Sequence, residues 1–181
     1  SLAYVSFEGK ASAIYVQRLA TGDRRRVSAR SGINGAPAWS PDGRKLALTL
    51  SRDGNLDLYV LDLATQGLTR LTSDSAIDTE PEWSRDGASI YFTSDRAGNA
   101  QVYRVGAGGG QEAQRLTFTN GYNARPRMSP DGESLAYVSD RNGTLGGEPI
   151  QVSEYWDILA RNAFGNYREL LDEVTWNPSM G

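Results

Sequence analysis

Proline recurs at Pro37, Pro81 and Pro126, at separations of 44 and 45 residues, and its surroundings recur with it. Two places on stands a bulky residue: Trp39, Trp83, Met128. A turn follows in each copy: Ser40-Pro41-Asp42-Gly43, Ser84-Arg85-Asp86-Gly87, Ser129-Pro130-Asp131-Gly132. Next come apolar runs, Leu46-Ala47-Leu48, Ile90-Tyr91-Phe92 and Leu135-Ala136-Tyr137, and then a second turn rich in Asp, Asn and Gly. Tyr15, Tyr59 and Tyr103 mark a third run at intervals of 44 residues, and Arg26-Val27-Ser28, Arg70-Leu71-Thr72 and Arg115-Leu116-Thr117 a fourth. Proline presets φ for a tight turn and glycine accepts the positive φ that ends it. Four short strands in a period of roughly 40–45 residues are the signature of a β-propeller blade. A helical repeat of this length fails, because glycine breaks the apolar runs every ten or so residues and β-branched and aromatic residues fill them.

The predicted fold class is therefore all-β: a partial propeller of four-stranded antiparallel blades. Roughly three and a quarter periods are present. Leu2 aligns with Leu46, so the first blade lacks its innermost strand, and the fourth stops near Gly143 after two. Propellers close with about 4–8 blades. An open arc leaves apolar faces of the Leu46–Leu50 kind uncovered, and association is expected. Two such arcs would complete one ring about a two-fold axis.

The pattern changes near Ser153, from period two to a helical spacing through Tyr155, Trp156, Leu159 and Ala163, then Tyr167, Leu170, Leu171 and Val174. The expected organisation is a propeller portion over 1–143, a linker over 144–152 and a short α-helical tail over 153–181. The chain opens on Ser1-Leu2-Ala3-Tyr4-Val5, inside a strand and without a signal peptide, and reads as a fragment.

Composition narrows function more than fold. There is no histidine, so no Ser-His-Asp triad, imidazole base or His-ligated zinc can be assembled from this chain alone. There is no cysteine, which removes disulfides and thiolate metal sites. A net charge of −3 does not favour nucleic acid or an anionic membrane, and no apolar run is long enough to span a bilayer.

Asp53, Asp95 and Asp140 lie in repeated turns, where calcium is one reading and an Asp-stabilised turn the simpler one. No cofactor is otherwise expected. Arg24-Arg25-Arg26 reads as a solvated outer strand. The glycine run at 106–110 lacks the Lys-Ser/Thr of a phosphate loop. Trp39 and Trp83 read as packing between neighbouring blades. The candidate binding residues lie in segments read as loops leading into each innermost strand, at the mouth of the central channel: Asn34, Gly35 and Ala36, then Thr79 and Glu80, then Asn123 and Arg125. These segments differ between repeats while the framework does not, which suits recognition.

The strings LAYVSFEG, NGAPAWSPDGRKLALTLSRDGNLDLYVLDLATQ, DTEPEWS and FTSDRAGNAQVYRV resemble the TolB family, the periplasmic six-bladed propellers of the bacterial Tol-Pal system. The resemblance covers residues 1 to about 143. It implies a non-catalytic protein-binding module in the periplasm. Its implied partners are the lipoprotein Pal, other Tol-system or outer-membrane proteins, and disordered bacteriocin segments, met at the channel mouth. The family's N-terminal α/β domain and nearly three blades are absent. The tail is similar to a segment of an uncharacterised helical bacterial family, so the chain reads as a junction of two unrelated gene fragments. The alternatives are the propeller of a prolyl-oligopeptidase-like hydrolase without its catalytic domain, and a chimeric fragment without function.

Overall fold

In the computed structural model, which describes residues 1–118 and 121–140, every regular element is a strand. The first sheet holds β1 (Leu2–Ser6), β2 (Ala13–Gln17) and β3 (Arg24–Ser28). The second runs β4 (Asn34–Trp39), β5 (Lys45–Leu50), β6 (Asp57–Asp62), β7 (Leu68–Arg70), each strand antiparallel to the next. The third repeats it with β8 (Asp78–Trp83), β9 (Ser89–Ser94), β10 (Gln101–Gly106) and β11 (Gln114–Arg115). The fourth has β12 (Asn123–Met128) and β13 (Leu135–Ser139). These are the blades read from the repeat: two whole, the first without its inner strand, the fourth with two strands among the described residues. The expected helical tail and the whole of the expected linker lie outside the described residues.

The Ser-x-Asp-Gly turn is built identically three times. Gly43, Gly87 and Gly132 donate their backbone N–H to the carbonyls of Ser40, Ser84 and Ser129, each at 2.9 Å, with φ between 68° and 81°. Each serine hydroxyl donates to the aspartate two residues on. That aspartate accepts the N–H of Arg44, Ala88 or Glu133. The turn thus closes on its own polar groups and aims the inner strand back along its neighbour.

Alternation does the rest. Along β5, Leu46, Leu48 and Leu50 face Ile14 and Val27 of the first blade, with Tyr59 and Leu61 completing that cluster. Ala47 faces the opposite way and joins Leu58, Val60 and Leu71 against Trp83, Ile90, Phe92, Tyr103 and Val105 of the third blade. A blade is apolar on both faces because it is packed between two others. The Leu46–Leu50 face is accordingly covered, fully buried by the first blade. Trp83 packs between blades as expected, and its indole Nε1 donates to the Ala38 carbonyl of the preceding blade at 3.1 Å.

Candidate functional site

The inner strands β4, β8 and β12 lie side by side and form one wall of a cleft of about 610 Å³. The seven candidate residues sit within these strands, not in loops before them: Asn34, Gly35 and Ala36 in β4, Thr79 and Glu80 in β8, Asn123 and Arg125 in β12. Their Asn, Gly and Pro content has the composition of a loop, yet the antiparallel pairing holds on both sides of a β-bulge. Register slips between Gly35 and Ala38, between Thr79 and Glu82, and between Ala124 and Arg127. At each bulge the residue before proline takes a positive φ: 46° at Ala36, 56° at Glu80 and 56° at Arg125. A residue before proline ordinarily stays extended, and a bulge turns its side chain to a new direction. Here three bulges aim Ala36, Glu80 and Arg125 into the cleft.

The other candidates divide. Asn34 and Asn123 are fully buried, and their amides are used inside the blade. Asn34 Oδ1 accepts from Ser28 Oγ at 2.8 Å and from the Arg30 N–H at 2.9 Å, and its Nδ2 donates to the Ser12 and Arg30 carbonyls. Asn123 Nδ2 donates to Gln101 Oε1 and its Oδ1 accepts from Ser139 Oγ. Neither presents an amide to a partner, because each closes the connection into its own inner strand. Gly35 and Thr79 are half-buried, with the Thr79 and Thr49 hydroxyls 3.5 Å apart.

Two charged cleft residues escaped the sequence reading: Glu82 and Arg127, which line the wall beside Glu80 and Arg125. Period-two alternation was the available signal, since each lies two positions beyond a residue already chosen. The wall is a set of matched rows. The second blade contributes Ala36 and Ala38, the third Glu80 and Glu82, the fourth Arg125 and Arg127. Arg125 Nε meets Glu80 Oε1 at 3.0 Å, and Arg127 Nη1 lies 3.5 Å from Glu82 Oε2. Thr93 Oγ1 donates to Glu80 Oε2 and accepts the Arg125 N–H, tying the rows to the sheet behind. The pairs are partly solvated, so they add little to stability but order alternating charge along the wall.

The position shared by Asn34 and Asn123 is Asp78 in the third blade, again fully buried. Arg96 answers one carboxylate oxygen at 2.7 Å, while Oδ1 has no hydrogen-bond partner. Arg70 likewise meets buried Asp57 at 2.6 Å. Burial pushes the Asp57 carboxyl above its ordinary value, against the opposing pull of Arg70. Asp53 accepts the Tyr59 hydroxyl at 2.7 Å and Asp95 the Ile77 N–H at 2.8 Å, so each ties its turn to another part of its own blade. Among the described residues no group of three or more acidic side chains is placed to hold a metal.

Solved structures share this fold. TolB from Acinetobacter baumannii superposes with a TM-score of 0.70 and 47% identity, over 75% of this chain and 34% of that one. A puromycin-hydrolysing peptidase from Mycobacterium tuberculosis, at 20% identity and a TM-score of 0.58, covers 71% of this chain and 23% of its own, and shares the fold alone. In sequence, the Tol-Pal system protein TolB of Alcanivorax borkumensis is 65% identical over 54 residues, which are 29% of this chain and 12% of the relative. The chain thus spans a minor part of the relatives it matches. The family model described as the TolB beta propeller domain matches residues 1–158. Over most of its length the chain therefore belongs to the TolB β-propeller family.

Proposed function

We propose that this propeller portion is a non-catalytic binding module that engages protein partners of the Tol-Pal system in the periplasm through the cleft of its inner strands. The observation that carries the reading is the wall of matched rows, with bulged, positive-φ residues holding Ala36, Glu80 and Arg125 toward the opening. Backbone strain of this kind costs about 1–3 kcal/mol per residue and persists where a surface must keep one shape. Membership of the TolB family supports the choice of partner class, and Pal is the named partner to try first. The hydrolase alternative has only fold likeness behind it, and a chain without histidine supplies no imidazole base.

A standard interface buries about 800 Å² on each partner. A three-strand wall offers less, so weak binding is expected. Calorimetric titration of Pal against this chain and against Glu80→Arg tests the reading. The substitution reverses charge beside Arg125 and is expected to weaken binding at least tenfold, about 1.4 kcal/mol. Unchanged affinity places the contact elsewhere, and no binding by the unsubstituted chain removes the adaptor reading for this chain.

A further inference from the structure

Where one blade passes the chain to the next, a buried polar pair joins the third strand of the first to the inner strand of the second. Between the third and fourth blades the pair is Gln101 and Asn123, both buried. The Asn123 N–H donates to the Ala100 carbonyl at 2.9 Å, and the Val102 N–H to Thr117 Oγ1 at 2.9 Å. Gln101 Oε1 accepts twice, from Thr117 Oγ1 at 2.8 Å and from Asn123 Nδ2 at 3.1 Å. Asn123 Oδ1 accepts from Ser139 Oγ, on the residue paired with it across the sheet.

Between the second and third blades the same scaffold carries two carboxylates. Asp57 stands 44 residues before Gln101, and Asp78 stands 45 before Asn123. The Asp78 N–H donates to the Leu56 carbonyl at 2.8 Å and the Leu58 N–H to Thr72 Oγ1 at 3.0 Å, which repeats the backbone frame of the next seam. Thr72 Oγ1 reaches Asp57 Oδ1 at 3.5 Å, as Thr117 reaches Gln101. Asp78 Oδ2 accepts from Arg96, which also donates to Ser94 Oγ, the cross-strand partner of Asp78 and the counterpart of Ser139. That leaves Asp78 Oδ1 in the place of the amide donor Asn123 Nδ2. It is buried and has no hydrogen-bond partner. Two acceptors thus stand where the neighbouring seam has a donor and an acceptor. The slot lacks one hydrogen, and a buried polar atom left unanswered is costly.

The arginines meet the outer oxygens only. Arg70 Nη2 lies 2.6 Å from Asp57 Oδ2 and Arg96 Nη2 lies 2.7 Å from Asp78 Oδ2. The arginine side chains are 37% and 20% exposed, whereas both aspartate side chains are at 0%. The other titratable neighbours, Tyr59 and Asp53, are bonded to each other at 2.7 Å. Burial raises the Asp57 carboxyl against the pull of Arg70, and the Asp78 charge raises it further. Two carboxylates in one dry site hold a proton between them in preference to ionising together.

We propose that Asp57 and Asp78 form a proton-binding site in the seam between the second and third blades, one proton lying between Asp57 Oδ1 and Asp78 Oδ1. The proton is taken from solvent and belongs to the pair, which titrates as a unit. Bound, it does for this seam what the Asn123 amide does for the next. Released, it leaves two ionised carboxylates held only from their outer sides by Arg70 and Arg96. A proton held more tightly by the folded chain than by the unfolded one stabilises fully below the ordinary aspartate value of 3.8, and that support is lost as pH rises through the folded value. The sign is opposite to that of an aspartate held by donors alone.

Carbon-detected NMR of the folded, unsubstituted chain labelled at aspartate Cγ tests the site directly. At pH about 6 an ordinary aspartate, of pKa about 3.9, is ionised. The expected result is one carboxyl's worth of signal still displaced to the protonated position, and its loss in both Asp57→Asn and Asp78→Asn. A folded chain whose aspartates are all ionised at that pH overturns the proposal, and this reading needs no variant to fold. A protonated signal that survives either substitution overturns it as well. Urea unfolding gives a second readout. Asp78→Asn supplies the seam with a permanent donor, as Asn123 does, and keeps an oxygen for Arg96. The ratio of its folding equilibrium constant to that of the unsubstituted chain is expected to rise at least tenfold between pH about 4 and pH about 8, the effect of one unit in the pair's proton affinity. A ratio independent of pH overturns the shared proton.

Discussion

Asn34 and Ala36 stand two residues apart in one strand and do opposite things. Asn34 turns inward and pairs with Ser12, Ser28 and Arg30; Ala36 is bent out by its positive φ. Asn34→Ala leaves several buried partners unanswered and is expected to lower stability by about 1–3 kcal/mol in urea unfolding, with Pal affinity per folded molecule unchanged. Ala36→Gly acts the other way. It relieves the left-handed backbone of an L-residue at the cost of some unfolded-state entropy, so a gain of up to about 1 kcal/mol is expected by the same measurement. Asparagine, glycine and proline together have loop chemistry, and for that reason the sequence reading placed these residues before the strand. Only pairing across the bulge shows that they belong to it.

The Ser-x-Asp-Gly turn is the element that sets the blade. In all three copies the serine hydroxyl, and next a backbone N–H, hold the aspartate carboxyl below its ordinary value of 3.8. A carboxyl lowered in the folded state stabilises fully above its unfolded value, and that support is lost as pH falls through the lowered folded value. Asp57 has the opposite sign: burial raises its carboxyl, so protonation on acidification relieves a cost. Acid unfolding is therefore expected to track the turn aspartates, below pH about 3.8. Asp86→Asn is expected to flatten the stability profile in that range, measured as urea midpoint against pH, and a profile of unchanged slope would assign acid sensitivity to other groups. This turn was legible in the sequence, because all its bonds lie within six consecutive residues.

At the scale of the whole propeller portion, the core is a set of blade-to-blade seams. The seam between second and third blades holds Phe92, fully buried beside Trp83 and Tyr103. Phe92→Ala is expected to cost about 3–5 kcal/mol, a large share of an ordinary stability of about 5–15 kcal/mol, and circular dichroism on heating measures it. Amide exchange is expected to be slowest in β5, β6, β9 and β10, which are flanked on both faces, and fastest in β1 for a monomer.

The sequence by itself determined the blade period and the strand order, because turn residues and alternating apolar positions act locally and repeat. It also pointed to the inner strands as the place to look for binding. Which of their residues are available was decided only by tertiary structure. The same repeat position is Asn34, Asp78 or Asn123, buried in each blade, and the next free direction belongs to whichever residue the bulge turns outward. The Glu80–Arg125 and Glu82–Arg127 rows join blades 45 residues apart, and the Trp83 indole reaches the Ala38 carbonyl across the same distance in the chain. Local chemistry writes the blade; the matching of one blade to the next depends on atoms that meet only after the chain has wound past itself.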